Sequence, residues 1–482
     1  MVNFRIIARV FSLLLIFEGL FMLISAAVSL LYHEHTASSF FYSALITIIT
    51  GIIVFSPLRN EERVYSNREG YIIVTGVWIL FSLFSTLPFL FSGSIKNFGD
   101  AFFESMSGFT TTGATILTDI ESLPHAILFW RSLTQWLGGI GIIFISLSVF
   151  PVVRSINIQL AANEFTGQPS DKIHPRIKDA AKRLISIYVL ITFSEVILLI
   201  IGGMTVFDAV CHSFSTLSTG GFSTHNNGIA AFDTPYIKII ITLFMFIAGT
   251  NMTLVYFGLK GNFRKIAGNN EFIFYSIICL VFIFAGSAVL YFKEGFAFGH
   301  AVIDGAFHIV SIITTTGFYT HNYNLWGNIM IIILFILMFT GGTAGSSSGS
   351  IKIARLLLIT KNSRQELKRL IHPNAFIPVR MDKHIISQAT IYNLLLFIIL
   401  YFIVMCSATF IISIMGYDFI TSFSTSASML GNIGPGIGTF GPFTNYSSVS
   451  MAGKFFFAGL MLLGRLELLT VMILFTRNFY RH

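Results

Sequence analysis

The chain has 482 residues, of which 54% are apolar and only 11% charged, and its mean hydropathy is +0.78. Soluble domains carry about a quarter charged residues, so composition excludes a water-soluble enzyme or binding module and indicates a polytopic membrane protein. The formal charge of +8 does not call for nucleic acid, because excess Lys and Arg in such a chain ordinarily marks its cytoplasmic loops.

In chain order, Arg5 and Arg9 precede an apolar run over 10–32. It is longer than a signal-peptide core and reads as an uncleaved first span. Spans of roughly 20 residues are needed to cross a bilayer, and ten candidates follow: 10–32, 38–56, 70–92, 125–150, 184–204, 235–258, 271–292, 327–350, 386–415 and 448–476. The first two form an N-terminal hairpin and the other eight fall into four pairs. The expected fold is an all-α membrane protein with ten transmembrane helices. Its divisions are a hairpin over 1–69 and units over 70–183, 184–270, 271–385 and 386–482.

Between the members of each pair lies a stretch that opens on Asp100, Asp208, Asp304 or Asp418 and ends at a glycine 12–16 residues on. That length suits a helix of about three turns, too short to span. Asp at its start would cap free N–H groups and suit the positive end of the helix dipole. Each stretch ends in a polar run: Thr110-Thr111-Thr112-Gly113, Ser218-Thr219-Gly220-Gly221, Thr314-Thr315-Thr316-Gly317 and Asn432-Ile433-Gly434-Pro435-Gly436. Counted between Gly113, Gly220, Gly317 and Gly434, the intervals are 107, 97 and 117 residues. Non-helical backbone at membrane depth must line water or be buried in protein. The pattern therefore predicts four parallel helix–re-entrant pore helix–helix repeats around a central pore. Stripping a cation of water requires replacement oxygens, and successive carbonyls facing one axis supply them. Glycine permits the backbone angles and puts no Cβ in the lumen. The predicted ion ligands are Thr111, Thr112, Gly113, Ser218, Thr219, Gly220, Thr315, Thr316, Gly317, Asn432, Ile433 and Gly434.

With the N-terminus cytoplasmic, the inner loops hold all but six of the 30 lysines and arginines; the exceptions are Lys96, Arg131, Lys238, Lys293, Lys454 and Arg465. This is a positive-inside pattern. Outer segments carry more acid than base, which favours cations over anions at the mouth.

Three further features stand out. The run Gly341-Gly342-Thr343-Ala344-Gly345-Ser346-Ser347-Ser348-Gly349-Ser350 cannot hold a straight helix in lipid; it lines the aqueous path or is a packed interface of small residues. Gly138-Gly139 and Gly249-Thr250-Asn251 at corresponding positions read as less broken. Arg465 lies within a span, where a charge faces water or a partner. It either sits on the pore side below the turns or pairs with Glu467 or Glu195. His212 and His308 occupy the position of Glu104, a sign of duplication more than of metal binding. Glu18 and Glu195 read as buried structural partners. Cys211, Cys279 and Cys406 suggest no disulfide framework, and the glycine run lacks a P-loop ending.

With these turns, the chain resembles the Trk/Ktr/HKT superfamily of potassium transporters, and within it the ten-span TrkH subunits of bacterial Trk systems, over its whole length. The four turn glycines imply potassium selectivity, and the fourth turn departs from Thr-X-Gly as is usual there. The resemblance implies that 341–349 is a gate and supports the pore-side reading of Arg465. It further implies a homodimer in the bacterial inner membrane carrying a cytosolic nucleotide-binding ring, the TrkA subunit. The basic loops 151–183 and 351–385, with the stretch 371–380 typical of TrkH, are candidate docking regions or lipid-headgroup contacts. The expected ligand is K+ itself, with no organic cofactor, nucleic-acid partner or enzymatic activity. The rival readings are a sodium- or proton-coupled secondary transporter, and a scaffold, which would leave the re-entrant segments unexplained.

Overall fold

The computed structural model describes residues 2–58, 67–148, 173–375, 377–382 and 384–480. Most of the basic loop 151–183, most of 57–69, and Phe376 in the stretch 371–380 lie outside the described residues. A hairpin opens the chain: α1 (Phe4–Leu31), capped by the Asn3 side chain, and α2 (Ala37–Phe55). Then come α3 (Asn67–Phe84) with its short continuation α4 (Thr86–Phe91), α5 (Phe98–Phe109) and α6 (His125–Ser148). The second group is α7 (Ile173–Ile201), α8 (Val206–Leu217), α9 (Pro235–Ala248) and α10 (Met252–Leu259). The third is α11 (Asn270–Phe292), α12 (Phe298–Ile313), α13 (Asn328–Leu337) and α14 (Ile353–Ile371). A two-stranded hairpin, β1 (Arg380–Met381) and β2 (His384–Ile385), pairs Arg380 with Ile385 and Met381 with His384. Last are α15 (Gln388–Ile414), α16 (Phe419–Gly431), α17 (Met451–Arg465) and α18 (Leu469–Met472).

The same order of long helix, short helix, tight turn and second helix thus occurs four times. The short helices α5, α8, α12 and α16 have 12, 12, 16 and 13 residues, too few to cross a bilayer. Thr205 caps α8 and Asp418 caps α16. Asp304 is not a cap: α12 begins at Phe298, so Asp304 falls in mid-helix, 1% exposed, and its carboxylate meets Lys238 Nζ at 3.0 Å.

Six described helices are long and apolar enough to cross a membrane, or up to eight if each of two bent pairs is one span. The bends are larger than the sequence suggests. Gly249-Thr250-Asn251 turns the chain by 113° between α9 and α10, and the chain turns by 109° after Arg465. No glycine or proline sits at that second bend; Glu467, at φ +54°, makes it. Between α13 and α14 the run 341–350 is not helical, as expected.

Buried aromatic and aliphatic side chains from α5, α6 and α17 share one cluster, including Phe103, Phe109, Trp130 and Phe457, so the end of the chain packs against its beginning. Phe284, Phe292 and Phe410 point outward, as side chains facing lipid should. Charged or polar pairs join successive groups. Arg131 Nε meets Glu104 at 2.8 Å while its Nη1 donates to Ser223 O at 3.2 Å. Lys238 reaches Asp304, and Lys454 reaches Asp100 at 2.6 Å. Between the third and fourth groups, Tyr323 donates to Gly436 O and Asn324 to Gly438 O, both at 2.9 Å.

Candidate functional site

All four short helices end in the same way. A residue at the helix end turns left-handed: Thr111 at φ +52°, Thr219 at +55° and Thr315 at +57°, each just after the cap, and Asn432 at +55°, which is itself the cap. The next N–H then reaches five residues back. Thr112 N bonds Ser107 O, Gly220 N bonds Ser215 O, Thr316 N bonds Ser311 O and Ile433 N bonds Ser428 O, at 2.8–3.0 Å. This is a Schellman-type helix end, normally built on glycine. A β-branched threonine there is strained, at a cost of order 1–3 kcal/mol per site. Such strain gathers where a polar side chain is needed at a fixed place.

Two residues later a glycine again has positive φ: Gly113 (+81°), Gly221 (+77°), Gly317 (+78°) and Gly434 (+98°). These four meet in cyclic order. A Cβ on Gly113 would strike the carbonyl oxygen of Gly220; one on Gly221, that of Thr316; one on Gly317, that of Ile433; and one on Gly434, that of Thr112. The four turns therefore close on one another, first to second to third to fourth and back to first, with one carbonyl from each at the contact.

The ring shifts one expected residue. The Thr-Gly pattern centres the second turn on Gly220, whereas the backbone puts Gly221 in the place of Gly113, Gly317 and Gly434; Gly220 stands with Thr112, Thr316 and Ile433. The residues behind the turns agree. Glu104 accepts from Ile116 N at 3.0 Å, His212 Nε2 meets Ser223 Oγ at 2.9 Å, and His308 Nε2 meets Thr320 N at 3.4 Å. Each of these side chains lies nine residues before its glycine, and from His212 that glycine is Gly221. They brace the chain leaving each of these three turns. Among the described residues no group of three or more His, Cys, Asp or Glu could hold a metal ion.

On the threonine side of the ring, the run 341–350 touches the third turn and the ends of the short helices α8 and α16. Gly349 N donates to Thr315 Oγ1 at 2.6 Å, and a Cβ on Gly349 would strike Gly431 O. Ser347 Oγ donates to Leu217 O at 2.9 Å. Thr343 N bonds Gly249 O at 2.9 Å. Arg465 Nη1 donates to Ser347 O at 2.6 Å and Nη2 to Gly138 O at 3.2 Å. Neither expected carboxylate partner holds Arg465: Glu467 pairs with Arg355 instead. Arg465 is 3% exposed and serves as a tie between the run and α6. Gly341 and Gly342 enter the run buried, and Gly345 is exposed. Other ties had no signal in the sequence. Asn251 Nδ2 donates to Ala344 O at 2.7 Å, Glu271 Oε1 accepts from Ala344 N at 2.5 Å, and Lys352 Nζ bonds Ser348 O while approaching Ser346 O.

Beyond the glycines, most of the acidic residues have work inside the protein. Asp100, Glu104 and Asp304 hold cations, and Glu34 accepts from His125 N and Ala126 N. Burial would raise the Asp208 carboxyl, but hydrogen bonds from His225, Thr224 and Thr205 outweigh it and hold the group well below the usual carboxylate range. The same Asp208 contact raises the His225 imidazole. Glu18 is fully buried, and its carboxylate meets no hydrogen-bond partner among the described residues.

Comparison with known proteins agrees with this architecture. The model of the family described as "TrkH: Cation transport protein" matches residues 36–266 and 272–480. The chain is 36% identical to the Trk system potassium uptake protein TrkH of Escherichia coli, over 99% of this chain and 100% of that protein. It is 31% identical to TrkG of the same organism, over 99% of each. The crystal structure of the potassium transporter TrkH from Vibrio parahaemolyticus superposes with a TM-score of 0.91 at 33% identity, covering 99% of this chain and 100% of that one. The chain belongs to the TrkH family of cation transport proteins, a family of transporters rather than enzymes.

Proposed function

We propose that this chain is the membrane subunit of a potassium uptake system, and that potassium crosses through the ring formed by its four turns. The observation that carries this reading is the cyclic closure of Gly113, Gly221, Gly317 and Gly434 on the carbonyls of Gly220, Thr316, Ile433 and Thr112. Carbonyl oxygens around one axis are what a dehydrated cation requires, and the near-equal backbone angles of the four turns support that arrangement. The left-handed Thr111, Thr219, Thr315 and Asn432 stand at the inner end.

On this reading the four helix groups are parallel repeats in a ten-span chain preceded by a hairpin, with the divisions at 69/70, 183/184, 270/271 and 385/386. The two broken helices count as spans. The N-terminus is cytoplasmic in a bacterial inner membrane, as the Lys and Arg distribution supports. The run 341–349 is the gate: it lies across the inner end of the ring, held by Arg465. A homodimer and a TrkA-like nucleotide-binding ring on the cytosolic face complete the assembly.

The test is flux through the purified chain in liposomes. Rubidium or potassium is expected to enter in clear preference to sodium. Equal sodium entry would overturn the potassium reading while leaving the fold untouched.

A further inference from the structure

The second turn lacks something the others have. At the position before the ring glycine, the first, third and fourth turns carry Thr112, Thr316 and Ile433, whereas the second carries Gly220. Thr112 and Thr316 are each fixed by a second hydroxyl, from Thr110 and Thr314, at 2.8 Å. Gly220 has no side chain to fix, and its carbonyl is one of the four at the ring contact.

The space left by the missing side chain is occupied by Gln135 of α6. A Cβ built on Gly220 meets Cδ, Oε1 and Nε2 of Gln135 before any other atom. The amide is fully buried. Its Nε2 donates to Gly220 O at 2.7 Å and its Oε1 accepts from Phe222 N at 3.2 Å. One side-chain amide thus brackets Gly221, holding the carbonyl on one side of it and the N–H on the other, as a neighbouring strand would. Turning the amide over would set donor against donor and acceptor against acceptor, so the two contacts fix its orientation.

The corresponding residues of the other groups do not do this. Three positions before Gly138, Ala248, Gly341 and Gly464 stand Gln135, Met245, Met338 and Met461. All four are fully buried, but a thioether has no N–H to donate and accepts only weakly. One helical turn before Gln135, on the same face of α6, Arg131 donates to Ser223 O and lies over the Phe222 ring at 4.2 Å. The second turn is therefore clamped at two heights by one helix.

Resting on the potassium-filter reading, we infer that Gln135 is a positioning residue for ion selectivity, setting the width of the ring at the second turn by holding the Gly220 carbonyl and the Phe222 N–H in place of a side chain at residue 220. Gln135 does not touch the ion. It matters because discrimination between potassium and the smaller sodium requires that the oxygens be kept from closing in, and the Gly220 carbonyl, joining two consecutive glycines, has the freest backbone in the ring.

The experiment is rubidium and sodium uptake into liposomes by the full chain and three variants, with folding followed by size-exclusion profile and thermal midpoint. Gln135→Met installs the residue of the other three groups and removes both hydrogen bonds. The ratio of rubidium to sodium uptake is expected to fall roughly three- to tenfold, the worth of one or two net hydrogen bonds, with total flux kept. Gln135→Glu keeps the shape but cannot donate to Gly220 O, and it should lose the ratio too; it decides the matter if the methionine variant does not fold. The double variant Gln135→Met, Gly220→Thr rebuilds the pairing of the third turn and is expected to recover part of the lost ratio. An unchanged ratio in the folded single variants overturns the inference, as does a fall in total flux with no change in ratio, which is what a purely structural role gives. A wild-type chain with no rubidium preference would instead overturn the filter reading itself, so the two failures are distinct.

Discussion

The ring and the run beneath it lie in contact but are held in opposite ways. Each turn of the ring is shaped by its own backbone: the same left-handed residue, the same five-residue return bond and the same glycine two positions on. Because these bonds are local, the sequence can drift from Thr-Thr-Gly to Asn-Ile-Gly and the geometry persists. The run 341–350 has little regular structure of its own. Its position depends on single side chains, three of them far away in sequence, Arg465, Asn251 and Glu271, and one close by, Lys352. A part built from local bonds resists change as a unit, whereas a part hung on a few long-range ties can be released by cutting one. That division suits the roles proposed for them, selection by the ring and obstruction by the run.

The largest effect should come from damaging the ring. Gly317→Ala places a Cβ against Ile433 O and forces alanine into the left-handed region. A loss of at least about tenfold in rubidium preference is expected, seen as competing sodium uptake in liposomes; retained preference would break the claim that the ring selects. Next comes Arg465→Ala. It removes the buried ties to Ser347 O and Gly138 O, and charged hydrogen bonds of this kind are worth enough to raise basal flux roughly tenfold. Lower flux from a folded protein would mean that Arg465 holds the path open. Lys238→Met removes the lysine partner of the Asp304 carboxylate, which is 1% exposed and keeps the Thr320 hydroxyl at 3.0 Å and His321 Nδ1 at 3.6 Å. The expected cost is about 3–5 kcal/mol of stability, read as a lower thermal midpoint with the selectivity of the surviving protein unchanged.

Much of this was legible in the sequence. Apolar run lengths, the four short helices and the glycine-terminated turns follow from hydropathy and spacing. The register of the second turn was harder, because Gly220 and Gly221 are both glycines and the Thr-Gly pattern selects the first, while the 13 residues from Asp208 to Gly221 match Asp100 to Gly113 and Asp304 to Gly317. The helix settles it: His212, like Glu104 and His308, braces the chain beyond its turn, and counting from it selects Gly221. The bend after Arg465 carries no glycine or proline, so no local signal announces it. Arg355 holds Glu467 and Ser347 holds Arg465, and those contacts exist only once the chain has folded. Asp304 looked like a helix start because α12 extends six residues ahead of it, in a stretch whose polarity does not mark its boundary. Gln135 was invisible for the same reason as the bend: its role lies in what it touches 85 and 87 residues later.

The smallest predicted effect concerns pH and the loop that follows the second turn. Asp208 raises the His225 imidazole, so the protonated pair stabilises the fold fully below the unfolded histidine pKa of about 6.5. That contribution is lost as pH rises through the higher folded value. The thermal midpoint of the wild type should therefore decline more across this window than that of His225→Gln, while rubidium preference stays level in both. A preference that tracked His225 would extend the selective region beyond the ring.

The separation of ring from run is tested most directly by measuring rubidium and sodium uptake together for the wild type and Arg465→Ala in the same liposomes. Both ions are expected to enter faster through the variant while their ratio stays at the wild-type value. A ratio that collapses as flux rises would show that selection and obstruction reside in one structure, and would contradict that separation.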